Sequence, residues 1–152
     1  MNAQFQRLKD SLYKTWWSDA ILFEVTPITS LEWSEINDDP SSYFDNYIQR
    51  FQLLGSSEAI AETPTEQRIW KEVSEEEAKR CLKMIIAISL PYKSEHFPEA
   101  DAMQLVDNVI CQFSSSVRYF WADYRLTYAS FEEPLVIVDQ EKVLFVMRIE
   151  ED

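Results

Sequence analysis

The chain contains a single glycine, Gly55, among 152 residues. Glycine supplies the positive-φ corners of tight turns and allows the close backbone approach that phosphate binding needs. With only one, the glycine-rich cradles of P-loop and dinucleotide-binding proteins are excluded, and so is the glycine-flanked nucleophile elbow of GxSxG hydrolases. Histidine is equally scarce: His96 stands alone, so no HExxH pair exists, and no EF-hand loop is present. The two cysteines, Cys81 and Cys111, have no second cysteine at CxxC spacing, so neither a zinc knuckle nor a disulfide framework is indicated. Both read as core residues. No apolar run approaches the ~18 residues of a membrane span, and the N-terminal MNAQFQRLKDSLYKTWW has no apolar segment behind its basic residues. The expectation is a soluble, cytoplasmic protein.

Positive charge is the remaining shortage. Fourteen Lys and Arg face 27 Asp and Glu, a net charge of −13. Such a chain repels phosphate and anionic lipid, which argues against direct nucleic-acid or membrane binding. The imbalance is local: from Thr15 to Gln67 ten acidic residues meet one base, Arg50, whereas the remaining residues hold 17 acids and 13 bases.

Hydrophobic material is plentiful. Apolar residues make up 46% of the chain and aromatics 14%, too much for a disordered acidic tail, and the length suits one globular domain over residues 1–152. Phe5, Leu8, Leu12 and Trp16 share one face of a helix over residues 2–16. Residues 20–25 read as a short strand stopped by Pro27, and residues 26–42 as a loop with turn chemistry at Asp38-Asp39-Pro40. A helix over 42–54 follows, striped by Tyr43, Tyr47, Phe51 and Leu54 and capped by Gly55. Thr63-Pro64-Thr65-Glu66 and Ser74-Glu75-Glu76-Glu77 both look like helix starts, the second leading through Ala78, Cys81, Leu82, Ile85 and Ile86 to Pro91. After a connector at 92–97, Met103, Val106, Val109, Ile110 and Phe113 mark another helix. Its period continues through Phe120 and Tyr124 to Tyr128, and we expect helix there despite the strand propensity of VRYFWADYRLTY. PLVIVD and KVLFVMRI, separated by a turn at Gln140-Glu141, form an antiparallel hairpin. The predicted fold is a helix-rich α+β single domain with a C-terminal hairpin, its sheet including residues 20–25.

Three kinds of chemistry compete. His96, with Glu95, Glu99 and Asp101 nearby, would supply a proton shuttle or one metal ligand, but a solvated loop histidine is the plainer reading. Glu32 with Glu35, or Asp38 with Asp39, would serve as acid and base or grip a divalent ion, although such pairs are commonplace in an acidic chain. The third is recognition. LEWSEINDDPSSYFDNY, residues 31–47, holds five acidic and four aromatic side chains and no Lys or Arg. Trp33, Tyr43 and Tyr47 offer rigid contact area, while Glu32, Glu35, Asp38, Asp39 and Asp45 steer and pair with a basic partner. Tyr43 and Tyr47 also fit a buried helix stripe. No catalytic residue, metal or cofactor is indicated.

The acidic single domain, the 31–47 segment and the terminal PLVIVDQEKVLFVMRI hairpin together resemble a bacterial immunity protein, the small cytoplasmic inhibitor made beside a toxin delivered by contact or secretion. The resemblance is one of profile, without a shared motif. It implies a stoichiometric 1:1 inhibitor whose acidic and aromatic groups cover a basic toxin, often a nuclease, in competition with its anionic substrate. Two alternatives are a phosphate mimic that blocks a DNA-binding protein and a metal-dependent enzyme with a carboxylate site.

Overall fold

The C-terminal apolar runs are buried on both of their faces, and this organises the molecule. The structure, a computed structural model, describes residues 3–15, 21–87 and 99–151. In chain order the elements are α1 (Ala3–Thr15), β1 (Ile21–Pro27), α2 (Ser30–Asp38), α3 (Pro40–Arg50), α4 (Glu58–Ala61), β2 (Trp70–Val73), α5 (Glu75–Ala87), α6 (Glu99–Ile110), β3 (Arg118–Ala122), β4 (Phe131–Val138) and β5 (Lys142–Glu150). The five strands form one antiparallel sheet in the order β1-β5-β4-β3-β2. The predicted hairpin is present, with Val138 opposite Val143, and β1 joins it along the free edge of β5. The α+β expectation holds.

Helices cover both faces of the sheet. On one face Phe23, Tyr119, Leu135, Ile137, Leu144 and Val146 pack against Phe5, Leu8 and Leu12 of α1, Leu82, Ile85 and Ile86 of α5, and Val106 and Val109 of α6. On the other, Phe120, Val136, Val138, Val143, Phe145 and Met147 meet Ile36 of α2, Phe44, Tyr47 and Ile48 of α3, and Ile60 of α4. Residues of opposite parity on β4 and β5 thus belong to different cores, which is why these strands read as unbroken apolar runs rather than alternating ones. Each fully buried Val, Leu, Ile or Phe contributes about 1.5–3 kcal/mol.

Several expectations fail. Residues 30–38, read as loop, are helix α2. The α3 stripe stops short of Leu54: Phe51 is the C-cap and Gln52, at φ 50°, takes the left-handed position. The Leu53 N–H reaches the Ile48 carbonyl at 3.2 Å and the Gln52 N–H reaches Gln49 at 3.2 Å, a Schellman closure. Gly55 is also left-handed, at φ 74°, but in the turn beyond. Phe51 is 47% exposed rather than core.

Thr63-Pro64-Thr65-Glu66 opens only a 3-10 turn, Thr65–Gln67, before the chain enters β2. Sheet pairing of Trp70–Val73 with β3 overrides the local helix signal. The long helix past Phe113 is likewise absent: α6 ends at Ile110, Ser115 and Ser116 lie in a turn, and residues 118–122 are strand β3. Neither cysteine forms a disulfide; Cys111 is exposed, not core, and Cys81 is half-buried. His96, Trp16, Trp17, Pro91 and the 92–97 connector lie outside the described residues.

Two ionic groups sit deep in the sheet. Asp139, in the β4–β5 turn, is fully buried. Its carboxylate accepts the N–H groups of Ser114 (3.0 Å), Glu141 (2.8 Å) and Lys142 (3.0 Å), together with the Lys142 ammonium at 3.0 Å. Burial acts to raise its pKa, but these donors outweigh it and hold the carboxyl below its usual range. Arg148 on β5, also fully buried, donates to the Ile85 carbonyl of α5, and burial pushes its guanidinium down to about 9.

Candidate functional site

The acidic segment folds into two helices joined by one residue. Thr29 caps α2: the Glu32 N–H reaches its hydroxyl at 3.1 Å, and the Glu32 carboxylate returns to the Thr29 N–H at 3.2 Å. This is a complete capping box, worth about 1 kcal/mol. The junction is Asp39. Its N–H bonds the Glu35 carbonyl at 2.9 Å, closing α2, while its carboxylate accepts the Ser42 N–H at 3.2 Å, opening α3 with Pro40 in the first turn.

Between these helices runs an open groove of about 480 Å³, lined by Glu35, Asp38 and Asp39, by Tyr43 and Asn46, and at its far end by Arg50. Glu35, Asp38 and Asp39 are exposed; Tyr43 is half-buried and forms part of the wall. Glu32 serves the wall instead of the opening. It accepts the Tyr43 hydroxyl at 2.5 Å and lies 4.0 Å from the Arg50 guanidinium. The Tyr43 hydrogen bond chiefly holds the Glu32 carboxyl below its ordinary range, and burial, then Glu32, raises the Tyr43 phenol. Tyr43 therefore stays neutral and oriented.

The predicted residues divide into two groups. Glu35, Asp38, Asp39 and Tyr43 come together at the groove, with Glu32 behind them. Trp33 is half-buried and packs towards the sheet. Asp45 and Tyr47 belong to the interior, 7% and 2% exposed; Tyr47 contributes only to the groove's inner wall. The Asp45 carboxylate accepts from Gln49 (2.9 Å), Arg68 (3.3 Å) and the Tyr124 hydroxyl (3.0 Å), and Tyr124 in turn accepts the Trp70 indole N–H at 3.0 Å. The Tyr47 hydroxyl pairs with Thr26 at 2.8 Å. These two side chains hold α3 onto the sheet rather than presenting a contact surface.

Asn46 and Arg50 were not among the expected site residues. The signal was available: Asp39, Tyr43, Asn46 and Arg50 follow steps of four, three and four along one helix face.

A second polar cluster lies under α5. Glu133 accepts the Trp121 indole N–H at 3.0 Å, and burial followed by Glu133 pushes the Cys81 thiol up to about 12, which suppresses thiolate chemistry there. Among the described residues no group of three His, Cys, Asp or Glu side chains is placed to hold a metal ion, and no helix is long and apolar enough to cross a membrane. Searches against protein-family models, curated proteins and solved structures returned no match.

Proposed function

We propose that the protein is a stoichiometric inhibitor of the immunity type, which binds a basic protein toxin through the α2–α3 groove. The observation that carries this reading is the convergence of Glu35, Asp38 and Asp39 with the Tyr43 ring on one outward surface. Carboxylates beside a fixed aromatic wall suit lysine and arginine side chains, the ring contributing rigid contact area and the acids steering and pairing. A nuclease domain presents such residues for its own anionic substrate, so covering them inhibits it. Electrostatic steering suits this role, since inhibition must precede damage.

The test uses the product of the adjacent gene, where a toxin and its inhibitor are normally paired. Mixing should give a 1:1 complex by size-exclusion chromatography with light scattering, weakened by salt and accompanied by loss of toxin activity. The combined variant E35Q/D38N/D39N should slow association at least about tenfold at low salt while keeping its unfolding midpoint. Full binding by this variant would move the interface off the groove. A phosphate-mimicking inhibitor of a DNA-binding protein is less favoured, because fourteen basic residues are scattered through the acidic chain.

A further inference from the structure

The groove is electrostatically graded along its length. Of the groove's lining residues, Asp38 and Asp39 stand where α2 meets α3 with Glu35 one turn before them, Asn46 lies near the middle of α3, and Arg50 is its last residue. From Asp39 to Arg50 the α3 axis advances about 16 Å. Arg50 is the only base between Thr15 and Gln67, and its side chain is 63% exposed. It is held in place from two sides: its guanidinium lies 4.6 Å from the centre of the Phe51 ring, and the Glu32 carboxylate is 4.0 Å away. Phe51 in turn packs edge-on against Tyr47 at 5.1 Å, and Tyr47 stacks with Tyr43 at 6.4 Å. A row of rings along α3 thus links the cation to the wall of the acidic end.

A partner that offered only positive charge would meet bare carboxylates at the Asp38–Asp39 end and, at the other, an exposed guanidinium whose charge Glu32 at 4.0 Å only partly offsets. We infer that the groove selects a protein segment with separated charges: a basic side chain, arginine above all, at the Asp38–Asp39 end, and a carboxylate about 16 Å further on at Arg50. This rests on the groove being the binding surface, as proposed above. Arg50 is then the residue that rejects uniformly cationic surfaces, because a like charge set against the partner costs affinity. Glu32 and Phe51 act as positioning residues for Arg50.

The experiment titrates three synthetic peptides into the isotopically labelled full chain at low salt, reading backbone amide shifts. The first, Arg-Arg-Ser-Gly-Ser-Glu-Glu, separates its charges by about 16 Å when extended. The second, Glu-Arg-Ser-Gly-Ser-Arg-Glu, has the same composition with the charges mixed. The third, Arg-Arg-Ser-Gly-Ser-Arg-Arg, is purely basic. The wild-type protein should bind the first about fivefold more tightly than the second. R50E should abolish that preference and bind the third about tenfold more tightly than wild type does, with R50Q intermediate. Circular dichroism checks that both variants stay folded, as an exposed position allows. No preference in the wild type, or an unchanged preference in R50E, overturns the graded-groove inference while leaving an acidic binding site standing. If no peptide shifts the amides of residues 35–50 in any of the proteins, the groove is not the binding surface and both readings fall.

Discussion

The two helical layers on either side of the sheet are built to different rules. In α1, α5 and α6 seven acids accompany six bases, whereas α2 to α4, with the Asp39 that joins two of them, hold six acids and one base. The first layer packs mainly through aliphatic contacts of Leu8, Leu12, Leu82, Ile85, Val106 and Val109. The second is held by rings and directed polar contacts. Phe44 lies 5.6 Å from Trp70 and 5.0 Å from Phe120, Asp45 ties α3 to Arg68 and Tyr124, and Arg118 of β3 bonds Glu72 twice and Asn37 of α2 once. Aliphatic packing secures a helix without dictating its rotation closely, but a buried carboxylate with two donors outside the helix, Arg68 and Tyr124, fixes the orientation of α3.

The largest test of this contrast is Phe44→Ala, which should lose about 3–5 kcal/mol in urea unfolding, because the ring's cavity adds to the lost burial. Leu82→Ala in the first layer should cost about 2–5 kcal/mol yet leave the groove amides unshifted, whereas Phe44→Ala should shift them. Next, Asp45→Ala should cost about 3 kcal/mol by stranding Arg68 and the Tyr124 hydroxyl, against less than about 0.5 kcal/mol for Asp38→Asn. Equal costs for the two would erase the distinction between clamp and groove carboxylates.

The first layer has polar ties of its own: the buried Arg148 of β5 donates to the Ile85 carbonyl of α5, and Asp139 holds the turn after α6 through Ser114. Asp139→Ala should cost about 2 kcal/mol at neutral pH, since several N–H groups lose their acceptor. Its folded pKa is depressed, so its contribution is complete above the unfolded value of about 3.9 and is lost as pH falls through the lower folded value. Wild type should therefore lose its advantage over the variant on acidification, as measured by unfolding midpoints between neutral pH and pH 2. Smallest is Asp39: Ala there should cost about 1 kcal/mol as a lost cap, but Asn only a few tenths, while both weaken partner binding.

Legibility from sequence followed burial geometry. α1, α5 and α6 bury one stripe each, so the 3.6-residue period exposes them. α2 buries only Ile36 fully among nine residues and shows no stripe, and its Thr29-to-Glu32 capping box closes only in the folded chain. β3 failed for the opposite reason. Tyr119 and Phe120 are buried on opposite faces of the sheet, so alternation disappears and a helical period can be traced through the run instead. In the site, the carboxylates of the α2–α3 junction were legible as a group because they are close in sequence. Their separation from Asp45 was not, since one turn of helix decides whether a carboxylate faces Arg68 or water.

Composition and order along the chain alone determined that the protein is acidic, that its charge concentrates between Thr15 and Gln67, that its ends supply a helix and a β-hairpin, and that glycine-dependent phosphate sites are absent. These are local or additive properties, and each residue contributes to them regardless of its neighbours in space. Tertiary structure decided that the sheet is covered on both faces, that Trp70–Val73 and Arg118–Ala122 become strands, and that Glu35, Asp38, Asp39 and Tyr43 share a groove ending at Arg50 while Asp45 is buried as a clamp. Those outcomes depend on pairings between residues distant in sequence, whose energies exist only once the chain has closed around its core.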